Sequence, residues 1–203
     1  MRILLKNLHL LLKELASLKN ALKKDRQMLK RLDPSFEKDY QFLFHAGYQS
    51  LKLYRFSHAF YVSGFKFLAY LLYHINRILH AVDIHPAAVI EPGVVIDHGI
   101  GIVIGSTAYV GEGTIIYHGV TLGARKITSG KRHPTIGRNV ILGAGAKVLG
   151  PIRVGDGARI GANAVVIEDV PPYATVVGIP AKVRKNSDPQ IEAVKNLASV
   201  CQN

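Results

Sequence analysis

The sequence has little of what would place the protein in a membrane or outside the cell. It contains one cysteine, Cys201, so neither an intrachain disulfide nor a Cys-based zinc site is expected. Its most apolar stretch, 60–73, is broken by Lys66 and is shorter than the ~20 residues of a membrane span. Lys6 and His9 interrupt any apolar signal segment. We therefore expect a cytoplasmic protein with no membrane partner.

Acidic residues are also scarce. The chain of 203 residues has 14 Asp and Glu against 26 Lys and Arg, a formal charge of +12, and its first 31 residues hold nine basic residues against two acids. Such a surplus favours anionic partners, among them nucleic acid and phosphorylated cofactors. No nucleic-acid-binding motif accompanies the charge, so we expect no nucleic-acid partner and interpret the N-terminal charges as a solvated helix face.

The first part of the chain has a helical period. A stripe of leucines recurs at spacings of three and four, which predicts one apolar side of a long helix. We interpret this stripe as a packing seam within or between chains, with a membrane-surface helix as the rival. Asp33-Pro34-Ser35 interrupts the pattern, and a second helical stretch, 38–80, follows with predicted bends at Gly47 and Gly64. The stripe consists of Leu4, Leu8, Leu11, Leu15, Leu18, Leu22, Leu29 and Leu32.

After Asp83 the period becomes six. A large aliphatic residue stands at every sixth position over much of the remaining sequence, which excludes an α-helix and indicates the hexapeptide repeat of a parallel β-helix. Three hexads form one coil of about 18 residues, and each aliphatic side chain points inward. The clearest series is Ile136, Leu142, Val148, Val154, Ile160 and Val166, and two earlier series run through Ile84, Ile90, Ile96 and Ile102 and through Ile104, Val110, Ile116 and Leu122.

One polar segment, 123–134, breaks the repeat and is predicted to leave the coil as a loop of about ten residues. Outside the scaffold positions a short set of side chains could do chemistry. A lone histidine near a corner is more often structural, and we interpret His85 and His118 so. His98 and His133 could lie on nearby coils of one chain or face each other across neighbouring chains. The full set is Asp33, Asp83, His85, Asp97, His98, His118, Arg132 and His133.

Residues 22–185 resemble the serine acetyltransferases of cysteine biosynthesis. The resemblance is carried by the segments Asp83-Ile84-His85-Pro86, Asp97-His98-Gly99, Gly119-Val120-Thr121-Leu122-Gly123, Arg132-His133-Pro134 and Val177-Gly178-Ile179-Pro180-Ala181. It implies an α+β fold, in which an N-terminal α-helical domain precedes a left-handed parallel β-helix with one extruded loop. We predict a helical domain over 1–82, used for oligomerisation and part of the serine site, a catalytic β-helix over 83–185, and a tail over 186–203.

The resemblance also implies an acetyl-CoA-dependent enzyme that acetylates the hydroxyl of L-serine. His98 matches the family's general base, and Asp83 matches the aspartate that holds its other ring nitrogen. A histidine suits this role because its pKa lies near neutrality. Arg132 and His133 match the ligands of the serine carboxylate, and Asp33 and Asp97 match those of the ammonium.

For acetyl-CoA the resemblance implies a groove between neighbouring β-helices, and no metal. The positions expected to meet it are Gly123, Ala144, Gly145, Ala162, Lys147 and Lys182. A homotrimer or a dimer of trimers is implied, with L-cysteine as a feedback inhibitor. Two departures stand out. Gly123-Ala124-Arg125-Lys126-Ile127 replaces the family's glycine-rich loop start, and the chain ends without the isoleucine that docks into the next enzyme, so a cysteine synthase complex is not expected.

Three other functions remain open at this point. An acetyltransferase of the same fold that acts on a sugar would share the hexapeptides and the catalytic histidine but lack the helical Asp-Pro. A β-helix carbonic anhydrase would hold zinc with three histidines, but Arg132 beside His133 opposes a dication. A scaffold without catalysis would tolerate the loss of His98.

Overall fold

The computed structural model describes residues 2–33 and 36–186, and helices are followed in it by a parallel β-helix, as predicted. The predicted tail beyond residue 186, including Cys201, lies outside the described residues. No helix in the described part is both long and apolar enough to cross a membrane. The helices are α1 Arg2–Leu32, a short 3-10 helix Asp39–Leu43, α2 Ala46–Val62 and α3 Lys66–His80.

Short strands of two to five residues make up the rest of the described chain. In chain order they are β1 Asp83–Ile84, β2 Val89–Ile90, β3 Val95–Asp97, β4 Val103–Ile104, β5 Tyr109–Val110, β6 Ile115–Tyr117, β7 Thr121–Gly123, β8 Thr135–Ile136, β9 Ile141–Leu142, β10 Lys147–Leu149, β11 Arg153–Val154, β12 Arg159–Ile160, β13 Val165–Val166, β14 Ala174–Val177 and β15 Lys182–Asn186.

Every third strand joins the same sheet, which gives the β-helix three faces. Sheet A has the order β1-β4-β7-β10-β13, sheet B has β11-β8-β5-β2, and sheet C has β15-β14-β12-β9-β6-β3. All pairs are parallel except β14 with β15. The hexad positions point inward as predicted: all fourteen aliphatic residues of the three series are buried in one continuous core. Stacking of these side chains between coils is what holds a solenoid together.

The coils are not all of one length. From β7 onward, partners in sheet A and sheet B such as Thr135 and Arg153 are separated by the usual 18 residues. The first coil is two residues longer, because Asp83 pairs with Val103 at a separation of 20. The extra residues lie in the turn after Asp97 and so include His98. Tyr109 pairs with Thr135 at a separation of 26, so the extruded loop adds eight residues rather than the ten expected.

Two corners border sheet A. The turns from sheet C to sheet A, residues 98–102, 118–120, 143–146 and 161–164, form what we call the C–A corner. The turns from sheet A to sheet B, residues 85–88, 105–108, 124–134 and 150–152, form the A–B corner. The extruded loop leaves the β-helix from the A–B corner. The two corners are separated by the width of sheet A, whose strands are two to three residues long.

A buried ion pair fastens the helices to the first coil. The Arg55 guanidinium of α2 donates two hydrogen bonds to the Asp25 carboxylate of α1, at 2.5 and 2.7 Å, and two more to the carbonyls of Ile90 and Glu91. Asp25 also accepts the Gly93 N–H at 2.7 Å. Asp25 thus fills the one gap in the leucine stripe with a partnered charge, and a buried charge needs such partners.

The leucine stripe serves packing within the chain over only part of its length. Leu11, Leu18 and Leu29 are buried, whereas Leu4 and Leu8 are exposed. The two glycines expected to bend the helices differ in role. Gly64 does separate α2 from α3 and has a φ of +87°, a conformation that favours glycine. Gly47 was wrongly taken for a bend: it lies inside α2, where a Cβ would come within 2.1 Å of the Ile96 carbonyl oxygen.

Candidate active site

His98 lies at the C–A corner, in the turn that carries the two extra residues. Its backbone is left-handed, with a φ of +62°, which is uncommon outside glycine and is typical of functional positions when it occurs. Its side chain is 74% exposed, its ring centroid lies 5.8 Å from that of His118 in a T-shaped contact, and Nε2 is 3.7 Å from Asp97 Oδ1. The imidazole is therefore reachable by a substrate and has a carboxylate beside it.

Asp33 is brought to the same side of the molecule through His45. His45 caps the N-terminus of α2: its Nδ1 accepts the Tyr48 N–H, and its Nε2 is 4.0 Å from Asp33 Oδ2. Burial lowers the pKa of His45, while the charges of Asp33 and Asp97 raise it and that of His98 lowers it further. These mutual influences place Asp33, Asp97, His45 and His98 in one electrostatic neighbourhood.

Asp83 is held by α3 rather than by His98. Its Oδ1 accepts the Tyr73 hydroxyl at 2.6 Å, and its Oδ2 is 3.5 Å from Arg77 Nε. Burial, and then donation to Asp83, raises the pKa of Tyr73 to about 12. Among the described residues no hydrogen bond or ion pair links Asp83 to His98. The expected pairing of these two side chains stays a prediction.

The A–B corner holds Arg132 and His133 at the base of the extruded loop, and Thr107 organises both. The Thr107 hydroxyl oxygen accepts the N–H groups of Arg132 and His133, each at 3.1 Å. The same oxygen lies 2.8 Å from His133 Nδ1, which also accepts the Thr107 N–H at 3.2 Å. The Arg132 guanidinium donates to Ser106 Oγ at 3.2 Å and to the Thr128 carbonyl at 3.3 Å.

These contacts determine the protonation of His133. A backbone N–H can only donate, so Nδ1 is the acceptor and the neutral ring carries its proton on Nε2. Burial lowers the pKa of His133, and the positive charges of Arg132, Lys131 and His85 lower it further. His133 is therefore a neutral donor at neutral pH, suited to binding an acceptor oxygen and unsuited to taking a proton.

The predicted site residues form two groups rather than one. His98, Asp97 and Asp33 belong to the C–A corner, and Arg132 and His133 belong to the A–B corner. Within the described chain, no hydrogen bond, ion pair or ring contact joins the two groups. Of the two arrangements left open by the sequence, this separation favours the one in which the histidines face each other across neighbouring chains.

The positions predicted for acetyl-CoA follow the C–A corner below His98. Backbone hydrogen bonds of 2.8–2.9 Å connect the turns one below another, from the Ile100 carbonyl to Gly119, from His118 to Gly145 and from Ala144 to Asn163. Ala144, Gly145 and Ala162 thus lie on the same edge as His98, in successive coils. Gly123 ends β7 in sheet A, and Lys182 is exposed in β15.

Lys147 differs from expectation in its contacts. Its Nζ donates to the carbonyls of Gly119 and Gly145, at 2.6 and 2.9 Å. The ammonium therefore lies against the backbone of the C–A corner, where it places a positive charge beside the predicted acetyl-CoA positions. Whether it meets a phosphate stays a prediction.

Several side chains around the site were not predicted from the sequence. His118 was interpreted as structural, yet its ring contacts that of His98. The signal was available: the two histidines are 20 residues apart, which is the length of the longer coil. His45, Tyr73 and Thr107 come from α2, α3 and a distant turn, and no local pattern marks them. His85, by contrast, accepts the Ala87 N–H and packs among tyrosines, as the structural interpretation expected.

Metal chemistry finds no support in the arrangement of side chains. Over the described residues, no group of three His, Cys, Asp or Glu side chains is placed to hold a metal ion. His98 and His118 are adjacent, but His133 lies at the other corner beside Arg132. The three-histidine zinc site of a β-helix carbonic anhydrase is therefore not formed within the described part of one chain.

The family model of the bacterial transferase hexapeptide, with six repeats, matches residues 133–168. A serine acetyltransferase of Mycobacterium tuberculosis is 48% identical over 170 residues, which cover 83% of this chain and 74% of the relative. A serine acetyltransferase of Neisseria gonorrhoeae in complex with serine superposes with a TM-score of 0.81 and 40% identity, covering 84% of this chain and 70% of that one.

Two further structures were solved with other ligands. A serine acetyltransferase of Brucella abortus in complex with coenzyme A has a TM-score of 0.83 and 35% identity, over 90% of this chain and 73% of that one. A serine acetyltransferase in complex with cysteine has a TM-score of 0.82 and 40% identity, over 84% of this chain and 71% of that one.

The coils, the corner histidine and the matching repeats define a hexapeptide-repeat acyltransferase with a left-handed parallel β-helix. Identity extends well beyond the repeats, over most of this chain and of its relative. The chain belongs to the serine acetyltransferase family. The resemblance inferred from the motifs and the predicted fold class are thereby confirmed.

Proposed function

We propose that the protein transfers the acetyl group of acetyl-CoA to the hydroxyl of L-serine, giving O-acetyl-L-serine and CoA, the first step of cysteine biosynthesis. The observation that carries the proposal is the C–A corner of a chain of this family. There an exposed histidine lies beside Asp97 and Asp33, at the upper end of an edge formed by Ala144, Gly145 and Ala162. Coenzyme A and serine are both ligands of related structures.

In the proposed mechanism His98 is the general base. A serine hydroxyl is a weak nucleophile at neutral pH, so a base must take its proton as the oxygen attacks the thioester carbonyl. The tetrahedral intermediate then collapses, the carbon–sulfur bond breaks, and the imidazolium returns the proton to the CoA thiolate. Asp97, 3.7 Å from His98 Nε2, supports the imidazolium electrostatically.

Asp83 keeps the role implied by the family resemblance, as the acceptor that orients His98. To fill that role its carboxylate has to leave the Tyr73 hydroxyl that it accepts in this structure. The serine ammonium is proposed to bind between Asp33 and Asp97, since both carboxylates influence the same neighbourhood.

The serine carboxylate is proposed to bind to Arg132 and His133 of a neighbouring chain. Arg132 supplies a fork of donors that fits a carboxylate, and neutral His133 supplies the Nε2–H. Because the two corners are separated by sheet A, a homotrimer with sites between chains unites them, and the helices could pair two trimers. Cysteine has the same ammonium and carboxylate as serine, so feedback inhibition would use the same ligands.

The test is release of free CoA thiol from acetyl-CoA with L-serine, L-homoserine or a panel of sugars as acceptor. We expect release that requires L-serine and falls by about 10²- to 10⁴-fold in His98→Ala, the usual contribution of a general base. Release with a sugar and none with serine would instead establish the alternative acceptor. Unchanged release in His98→Ala would refute the assignment of the base.

A further inference from the structure

The extruded loop encloses a cavity whose charged lining is entirely cationic. The cavity has a volume of about 330 Å³ and lies between the loop and the next turn of the A–B corner. Within the part of the chain that the structure describes, no acidic side chain lines it. A concave surface with charges of one sign concentrates ions of the opposite sign. Its lining residues are Arg125, Lys126, Thr128, Lys131, Arg132 and Pro151.

The positive charge of this cavity is not neutralised by the protein. Arg125 donates to the Ile167 carbonyl at 3.3 Å, and Lys131 donates to the carbonyls of Thr107 and Pro134. Arg132 likewise binds neutral oxygens. Carbonyls orient a cation without cancelling its charge. Across the described residues, none of these four cations forms an ion pair with an acid.

The number of cations exceeds what the proposed serine site needs. One carboxylate is matched by Arg132 with His133, so Arg125, Lys126 and Lys131 remain. A phosphate group carries more charge and more acceptor oxygens than a carboxylate, and arginine and lysine are its usual ligands. The cavity also adjoins the proposed acetyl-CoA path, because the Gly150 N–H donates to the Gly123 carbonyl at 2.9 Å and Pro151 lines the cavity.

We propose that this cavity is a phosphate-binding pocket in which Arg125 and Lys126 are the principal ligands. These residues stand where the family resemblance leads one to expect a glycine-rich segment, so the pocket is a property of this chain. Two sources of the phosphate share the same chemistry: a phosphate of acetyl-CoA, which rests on the proposed function, and a free anion such as pyrophosphate.

The experiment is calorimetric titration of the full chain with CoA, with pantetheine, which lacks the phosphates, and with pyrophosphate. The variant Arg125→Gln/Lys126→Gln removes two charges from the pocket. Lys19→Gln/Lys23→Gln removes two from exposed positions of α1 and serves as the matched control. We expect the pocket variant to bind CoA about tenfold more weakly and pantetheine unchanged, and the control to bind both as the natural chain does.

The outcomes separate the two sources. Weaker binding of pyrophosphate with unchanged binding of CoA would support the pocket and assign it to a free anion. No change with either ligand, or an equal loss with pantetheine, would overturn the proposal. Arg125→Lys/Lys126→Arg keeps the charges and should keep the affinity, which distinguishes lost charge from a disturbed loop. A chain that shows these affinities but does not acetylate serine would refute the proposed function and leave the pocket established.

Discussion

At the C–A corner His98 is exposed, has a strained backbone and contacts side chains from α2 and from the next coil. At the A–B corner His133 is buried, and Thr107 holds its Nδ1 from both the backbone and the side chain. One imidazole is free to exchange protons, while the other is held neutral with a fixed donor. The comparison teaches that the same residue type on one scaffold acquires a proton-transfer role or a positioning role from its hydrogen bonds and burial.

The largest test of this comparison asks whether the two corners act together across chains. His98→Ala and Arg132→Ala should each lose nearly all serine acetylation. If the two chains are mixed in equal amounts, unfolded and refolded together, about one quarter of the interfaces in a random trimer pair an intact His98 with an intact Arg132. We expect about a quarter of the activity to return, measured by thiol release.

The control for this mixture is each variant refolded alone, which should stay inactive. A mixture that sediments as a trimer and remains inactive would show that both corners must come from one chain. A stable monomer that acetylates serine would contradict the shared site directly.

An intermediate effect is expected from Thr107→Val, which keeps the shape of the side chain and removes its hydroxyl. The N–H groups of Arg132 and His133 then lose their acceptor, and His133 Nδ1 loses one partner. A lost hydrogen bond of this kind costs about 1–1.5 kcal/mol, so the KM for L-serine should rise by about tenfold. Steady-state kinetics at several pH values measure it, and nitrogen NMR shifts of His133 report the tautomer.

Thr107→Ser should restore the KM, and Thr175→Val on β14 serves as a matched control remote from the loop. If Thr107→Val changes kcat and leaves the KM for serine unaltered, Thr107 does not position the carboxylate ligands.

The smallest effect concerns pH and stability. The pKa of His133 is lowered by burial and by Arg132, Lys131 and His85. Below a pH of about 6.5 the unfolded chain binds a proton that the folded chain resists, so the free energy of unfolding falls as the pH is lowered through this range. His133→Gln, which keeps a donor and does not titrate, should show a shallower fall in Tm between pH 7.5 and 5.5. A parallel curve would assign the acid sensitivity to the buried His45 and His85 instead.

The hexad positions were predictable because their period is local. Each of Ile136, Leu142 and Val148 reports its inward direction through neighbours six residues away, and all are buried. Contacts made by the helices were not predictable in this way. Gly47 gives no sign in the sequence of its approach to the Ile96 carbonyl, and the Tyr73 hydroxyl reaches Asp83 only because α3 packs on β1.

The candidate site was predictable as a set of residues and not as an arrangement. Motif resemblance identified Asp97, His98, Arg132 and His133, but spacing along the chain could not say that they occupy opposite corners. That separation follows from which turn each residue occupies, and the 20-residue and 26-residue coils decide it. Lys147 shows the same limit, because its carbonyl partners belong to turns that only the register identifies.

The two residues added after Asp97 have a consequence for how such scaffolds change. Sheet pairing resumes at Val103, so the insertion leaves every later coil in register. A repeat protein of this kind can therefore gain or lose a protruding side chain at one turn with no adjustment elsewhere. Protein engineers could exploit the same tolerance by shortening this turn to obtain an inert solenoid, or by lengthening a turn on another face to install a new reactive group.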